Sequence, residues 1–323
     1  MRHPMGLMGL RVRASDQIDL FCRMKYHRIV TLSLFSIILP TLAQAQRDEH
    51  LAFDRPEAWA MKYFTAVGTM QGNGPPVELG AGKWALGLEI SNIPELDLEE
   101  RTVGFNGTKE EDLNKASILA RPLVHYGISD RFRLSLTASY VPPFEVFDGL
   151  KTHLASLSVN HDIFRGERYI LSVRLIGQWS EAEGDFTAPE NVIGDPDPDK
   201  NPFEAISPSE DVYTSWTNSF ETTLFYRLKT KRESTLFLSV TYTYADLDFE
   251  VYVPQPEGEV HNRHLTANGS LWNFATGFSH SLTEKISMRL AAVYSPLDVR
   301  RPPEYKVEDD SLFHFRLMIN YRL

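Results

Sequence analysis

Arginines recur along this 323-residue chain in patterns that could do chemistry. Many alternate with apolar residues, so in a strand they would share one polar face. Nine polar positions on these rows are predicted to line one interior: Glu89, Arg121, His125, Arg133, Arg174, Glu221, Arg227, Arg289 and Arg316. A row of guanidinium groups attracts carboxylates and phosphates and repels cations. The rows therefore predict either a filter for small anions or a charge network that fills the interior.

Carboxylates concentrate between these rows. Residues 181–212 hold ten acidic residues and one lysine, and within them Asp195, Asp197 and Asp199 alternate with prolines. Hard divalent cations prefer such oxygen ligands, but the glycine and distal glutamate of a helix–loop–helix calcium loop are missing. The three aspartates are thus metal candidates, with a solvated, proline-stiffened loop as the alternative.

The elements that must position these residues are strands. The last eleven residues, 313–323, place a large apolar side chain at every odd position and, except at Met318, a polar one at every even position. This alternation fits a strand with one face toward lipid and one toward water. Ten such segments are predicted: 77–91, 115–128, 131–141, 150–162, 168–180, 213–228, 234–246, 264–282, 285–295 and 311–323.

The connections between these segments alternate in length. Short turns are predicted at 129–130, 164–167, 229–233 and 283–284, and long links at 92–114, 142–149, 181–212, 247–263 and 296–310. Short turns at one end and long loops at the other are typical of a bacterial outer-membrane barrel. An even count of ten strands would place both termini on the short-turn, periplasmic side.

The start of the chain favours export. Residues 24–45 join a basic stretch to an apolar run and an Ala43-Gln44-Ala45 cleavage pattern, so we interpret 1–45 as a signal peptide with its start at Met24. The only cysteine, Cys22, lies in this leader. A chain without cysteines beyond the leader suits an oxidising periplasm.

Residues 46–76 precede the first predicted strand and are rich in aromatics, so we interpret them as a periplasmic N-terminal segment or a plug, with the barrel spanning 77–323. As an alternative, residues 61–70 form an extra strand, and a second one within 181–212 gives twelve in all. Residues 46–323 carry a net charge of −14, because residues 1–45 hold six Lys/Arg against two Asp/Glu. Nucleic-acid partners are therefore not expected.

The leader, the alternation and the C-terminal strand resemble the Gram-negative outer-membrane β-barrel superfamily. The resemblance implies an all-β, antiparallel, up-and-down barrel in the bacterial outer membrane, inserted by the barrel-assembly machinery. It implies contact with membrane lipids and lipopolysaccharide. Small solutes are possible ligands, and no cofactor is expected. We expect a narrow pore for small anionic solutes or a structural or surface-binding barrel.

A lipid or peptide hydrolase is the alternative, although no residue is assigned as catalytic. His264 and Thr266 share a strand face and precede Asn268, which is similar to the His, Ser and Asn set of the outer-membrane phospholipase. Acidic pairs at 99–100 and 309–310, together with His261, are similar to the acidic and Asp–His pairs of omptin-type proteases. Threonine in place of serine is a poor nucleophile toward a bulky ester.

Overall fold

The computed structural model describes residues 47–72, 79–147 and 149–323. The predicted leader lies outside the described residues. The strands of the described part are β1 (Arg47–His50), β2 (Trp84–Asn92), β3 (Thr102–Val103), β4 (Lys109–Glu110), β5 (Ile118–Ser129), β6 (Leu134–Phe147), β7 (Leu150–Arg165), β8 (Tyr169–Gly184), β9 (Asp211–Arg227), β10 (Ser234–Pro254), β11 (Val260–Ser281), β12 (Ile286–Ser295), β13 (Asp298–Arg300), β14 (Val307–Asp309) and β15 (Leu312–Arg322).

Ten of these strands close into one antiparallel barrel, as predicted. The order around the barrel is β2-β5-β6-β7-β8-β9-β10-β11-β12-β15, and β15 returns to β2. Alternation sorts the faces: on β15, His314 and Arg316 are fully buried inside, whereas Phe313 and Phe315 are half exposed outside. The barrel closes because every member strand finds a partner on both sides, which removes the open edges of a sheet.

The two ends of the barrel differ, and we call them the short-turn end and the long-loop end. Turns at 130–133, 166–168, 228–233 and 282–285 form the short-turn end. The predicted long links at 142–149 and 247–263 are wrong, because β6 and β7 extend to within three residues of each other and β10 runs to Pro254. The outward positions of these extensions are polar, as at Asp246 and Asp248, so the strands continue after the apolar band ends.

The segment before β2 is helical, which makes the twelve-strand alternative wrong. Helix α1 spans Pro56–Gly68, with proline at its first turn and Glu57 in the favoured acidic position. The described loop residues 185–210 hold only a 3-10 turn, Glu190–Val192. Shorter helical pieces are α2 (Leu98–Arg101), α3 (Gly104–Gly107) and the 3-10 turn Pro256–Gly258. In the described part of the chain, no helix is long and apolar enough to cross a membrane.

Helix α1 lies inside the barrel and is buried on nearly all sides. Trp59, Tyr63 and Val67 pack with residues of the 93–117 and 296–311 loops, while Ala58 and Met61 pack against β9, β10 and β11. Apolar residues all round are expected of a helix enclosed by protein. The helix thus fills the lumen toward the long-loop end.

The described chain starts and finishes at opposite ends of the barrel. β1 pairs in parallel with the first residues of β11, Arg47 opposite Arg263 through His50 opposite Thr266, which is the long-loop end of that strand. Leu323 bonds to Trp84 at the short-turn end. A strand count alone does not give this placement, because it does not include a segment that runs within the barrel; the side of the membrane on which each terminus lies stays a prediction.

Candidate functional site

Seven of the nine predicted interior residues lie buried within the barrel: Glu89, Arg121, His125, Arg174, Glu221, Arg289 and Arg316. Arg227 is half-buried near the short-turn end. Arg133 is exposed in the turn before β6, because the β6 ladder starts only at Leu134 and strand alternation does not extend to residue 133. The buried set comes from six strands of the wall, so barrel closure brings it together.

The arginines of this central layer hold the C-terminal end of α1. Arg316 Nη1 donates to the carbonyls of Thr69 (2.7 Å) and Gln71 (3.0 Å), and its Nη2 donates to that of Val67 (3.2 Å). Arg121 Nη2 donates to the Gly68 carbonyl at 2.5 Å. A helix leaves its last carbonyls unpaired and carries partial negative charge there, so guanidinium groups are suitable partners.

The two buried glutamates complete this layer. Glu89 lies 3.5 Å from Arg316 and 3.9 Å from Arg121. Glu221 pairs with Arg174 at 2.9 Å and accepts the Gly72 amide at 2.7 Å. The layer therefore joins buried charges of both signs to the main chain of residues 66–72.

Gly72 shows how closely the chain and the wall approach. Its φ is +74°, a conformation that favours glycine, and an added Cβ would lie 3.0 Å from Val293 and 3.1 Å from Ala275. The neighbouring Gln71 accepts from Asn273 Nδ2 at 2.7 Å. Residues 69–72 are thus fitted to the interior as tightly as α1 itself.

The sequence predicts the interior arginines, but it does not predict helix α1, to which Arg121 and Arg316 bind. Alternating polarity identifies strands, and α1 carries no amphipathic stripe because it is enclosed. A local signal was present: proline at residue 56 followed by Glu57 is typical of a helix start.

An apolar cavity lies between α1 and the wall, above the central layer. It consists of two separate pockets of about 50 Å³ and about 80 Å³, which we call lobes because Phe64, Leu113 and Tyr213 line both. Tyr213 is fixed by its hydroxyl, which bonds to Thr65 (2.6 Å) and donates to the Met61 carbonyl (3.0 Å). The other apolar residues that line the lobes include Phe105, Phe186, Phe203, Phe249, Ile93, Leu119, Val141 and Leu154.

Several charged groups beside this cavity are paired. Lys109 contacts Glu111 at 2.7 Å, and Lys115 contacts Asp112 and Asp185 at 2.7 Å each. On the opposite face of α1, burial lowers the pKa of Lys62 to about 8, and its Nζ donates to the Asp298 carbonyl. The cavity is therefore an apolar compartment bounded by neutralised charges.

A polar vestibule of about 250 Å³ opens at the short-turn end, below the central layer. Its basic lining residues are Arg133, Arg165, Arg227 and Arg289, and its acidic ones are Asp130, Asp162 and Glu233. Asp162 binds Arg165 and the Ser172 hydroxyl. Positive groups therefore outnumber negative groups in this compartment.

The candidate hydrolytic residues do not form the arrangement that their spacing suggests. His264 bonds to Asp248 through Nε2 (2.6 Å) and to Asp48 through Nδ1 (3.1 Å). Thr266 bonds instead to His50 at 3.0 Å. Of the acidic pairs, Glu100 closes the capping box of α2 with Asp97, and Asp310 binds Arg301.

The three aspartates of the acidic loop stabilise turns. Asp195 Oδ1 accepts the Asp197 amide at 2.9 Å, and Asp197 Oδ1 accepts the Asp199 amide at 3.0 Å. Such contacts with the main chain two residues on are typical turn chemistry. The carboxylates do not converge on one point among the described residues, where the group with metal-ligand spacing is another one, Asp248, Glu250 and His264.

Comparison with known proteins shows similarity of fold. No protein-family model matches the chain, and no curated protein does. Solved structures do match. The translocator domain of autotransporter NalP from Neisseria meningitidis is 10% identical, with a TM-score of 0.46, over 84% of this chain and 100% of that one.

Two further structures are similar. The outer-membrane protease OmpT from Escherichia coli is 7% identical, with a TM-score of 0.38, over 75% of this chain and 94% of that one. A FadL homologue from Pseudomonas aeruginosa is 11% identical, with a TM-score of 0.26, over 79% and 96% of the two chains. At these values the likeness supports no activity. The chain has a ten-stranded antiparallel barrel fold.

Proposed function

We propose that this protein is an outer-membrane barrel that binds a small apolar molecule in the cavity between α1 and the wall. The observation that carries the proposal is the pair of lobes, lined mainly by aromatic and aliphatic side chains. Ligand sites in proteins are mostly apolar, with few polar groups. The partner that we propose for this site is a small molecule that reaches it from the long-loop end.

The outer surface supports a membrane location. Outward rows hold half-exposed apolar residues, and aromatic residues flank them, as Trp216 and Tyr226 do near the two ends of the β9 row. Aromatic girdles at the two interfaces are typical of membrane barrels. We include in the proposal lipid and lipopolysaccharide contact on this surface, insertion by the barrel-assembly machinery, and export through a leader at residues 1–45.

Size and lining indicate the ligand class. An apolar cavity of about 150 Å³ in another protein holds benzene, and the two lobes here reach that order if the side chains that line both of them move and join the two spaces. The lobes share Phe64, Leu113 and Tyr213, and several charges beside them are already paired. An uncharged molecule of the size of one aromatic ring therefore fits better than an ion.

Fluorobenzene followed by ¹⁹F NMR tests the proposal with the protein in lipid nanodiscs. We expect a saturable bound signal for the wild type. Leu113→Trp should abolish it by filling both lobes, since Leu113 lines each of them. Leu236→Trp on the lipid face is the matched control and should retain the signal. A signal that only tracks the amount of lipid, equal in all three proteins, would refute the proposal.

A narrow anion pore is the second candidate, favoured by the vestibule with its four arginines. Single-channel recording in asymmetric chloride tests it. Discrete anion-selective steps that Arg227→Gln alters, and that the exposed Arg131→Gln does not, would support a pore. A folded barrel without conductance would assign the arginines to structure. The hydrolase alternative receives no support from the contacts of His264 and Thr266.

A further inference from the structure

We propose that Asp248, Glu250 and His264 form a divalent-metal site of the zinc class on the outer face of the barrel wall. Asp248 and Glu250 lie on one row of β10, and Glu250 stands directly opposite His264 on β11. One ligand atom from each of the three residues lies within 4.8 Å of the other two. The site is separate from the apolar cavity and does not depend on the function proposed above.

The donor set suits a borderline metal ion. Zinc takes imidazole nitrogen at about 2.0–2.1 Å and carboxylate oxygen at about 2.0–2.2 Å, with three protein ligands and an open position where water can bind. His264 Nε2 already lies 2.6 Å from Asp248 Oδ2. A small outward movement of these exposed side chains would admit an ion between them. Glu250 is exposed, so the remaining position faces water.

Strand β1 supplies the feature that distinguishes this group from a surface ion pair. Asp48 pairs with His264 in the parallel register, and its Oδ1 lies 3.1 Å from His264 Nδ1. Metal-binding histidines usually donate their second N–H to a carboxylate, which fixes the tautomer and the ring orientation. With the Nδ1 proton donated to Asp48, a metal ion at Nε2 would displace the proton that Nε2 shares with Asp248 in the metal-free protein.

Charge balance also favours a cation. Asp48, Asp248 and Glu250 surround one imidazole, so the group is negative whether or not His264 is protonated. Arg55 and Arg263, at this end of β1, both bind Glu49 instead. A divalent ion would neutralise the excess and tie β1, β10 and β11 together.

Zinc titration of the chelator-treated full protein in nanodiscs, by competition with a chromophoric chelator, tests the site. We expect one ion per chain. His264→Gln and Asp248→Asn should each weaken binding at least 10-fold. The control is His280→Gln, an outward histidine of the same strand that bonds to Ser234, and it should bind as the wild type does. Equal binding in all of these proteins, or none in the wild type, would overturn the proposal.

Cobalt absorption gives a second readout, because the visible spectrum of Co²⁺ reports its ligands. The wild type should show the bands of an ion bound by nitrogen and oxygen, and His264→Gln should lose them while keeping the heat-modifiable gel shift of a folded barrel. Asp48→Asn should weaken binding 10- to 100-fold with the bands retained, as loss of an orienting carboxylate does. An unchanged spectrum in His264→Gln would contradict the assignment.

Discussion

Replacement of Arg316 should release α1 from the barrel. Arg316 is fully buried and makes hydrogen bonds to four carbonyls of residues 66–71 while lying 3.5 Å from Glu89. Arg316→Met removes these bonds and takes away the cation 3.5 Å from Glu89, while Arg121 remains at 3.9 Å. Breaking a buried ion pair in this way costs about 3–5 kcal/mol. The release of α1 should then become more frequent by roughly 10²- to 10³-fold, since about 1.4 kcal/mol is tenfold.

Maleimide labelling measures this release. Thr69 is buried beside Arg316, so Thr69→Cys in a Cys22→Ser background should react slowly in the otherwise wild-type protein and about 10²- to 10³-fold faster with Arg316→Met. Arg316→Lys should lie between, because an ammonium cannot reproduce the planar fork of donors. Arg322→Met is the control: it lies on the same strand, one-third exposed, 3.9 Å from Glu233. Equal labelling rates in Arg316→Met and in the control would refute the capping role.

Three further perturbations probe the same interior. Glu221→Gln removes the carboxylate that binds Arg174 and the Gly72 amide, and urea unfolding should show a loss of about 3–5 kcal/mol; an unchanged midpoint would contradict the network. Trp59→Ala on α1 should also cost about 3–5 kcal/mol, whereas the half-exposed Trp272→Ala should cost far less; equal losses would mean that α1 is not packed. Burial lowers the pKa of Lys62 to about 8, below its unfolded value of 10.5, so the unfolded state holds more protons between these values and stability should rise with pH across that window. Lys62→Met should remove the slope and raise stability at pH 7 by about 3 kcal/mol; a slope that persists would assign it to another group.

The barrel could be predicted from the sequence because its rule is local. A side-chain period of two, with lipid on one side, fixes which residues face inward, and barrel closure then brings Glu89, Arg121 and Arg316 together whatever the loops do. Arg133 was predicted to face inward but is exposed, because it lies in a turn where strand alternation does not apply. Strand length was less predictable, since β10 continues to Pro254 after its outward residues become polar.

The contents of the barrel could not be predicted in the same way. The contacts that hold α1 join residues far apart in the chain, such as Arg316 with Val67 and Tyr213 with Thr65. No period in the sequence encodes such pairs. The same holds for the Asp48–His264 contact, which depends on the parallel pairing of β1 with β11. The sequence of the four residues of β1 does not predict that pairing.

The path of the N-terminal segment constrains the order of assembly. Residues 47–50 are bonded at the long-loop end, α1 and residues 69–72 lie within the barrel, and Gly80 is beside Gly127 at the short-turn end. The wall is completed where the first barrel strand meets the last, Ala85–Ser91 against Arg316–Arg322. The N-terminal segment has contacts at both ends of the barrel. The wall can enclose this segment most simply if the seam between β2 and β15 forms last. We expect folding to wrap the wall around α1, with Arg316 on the closing strand binding the end of the helix as the β2–β15 seam forms.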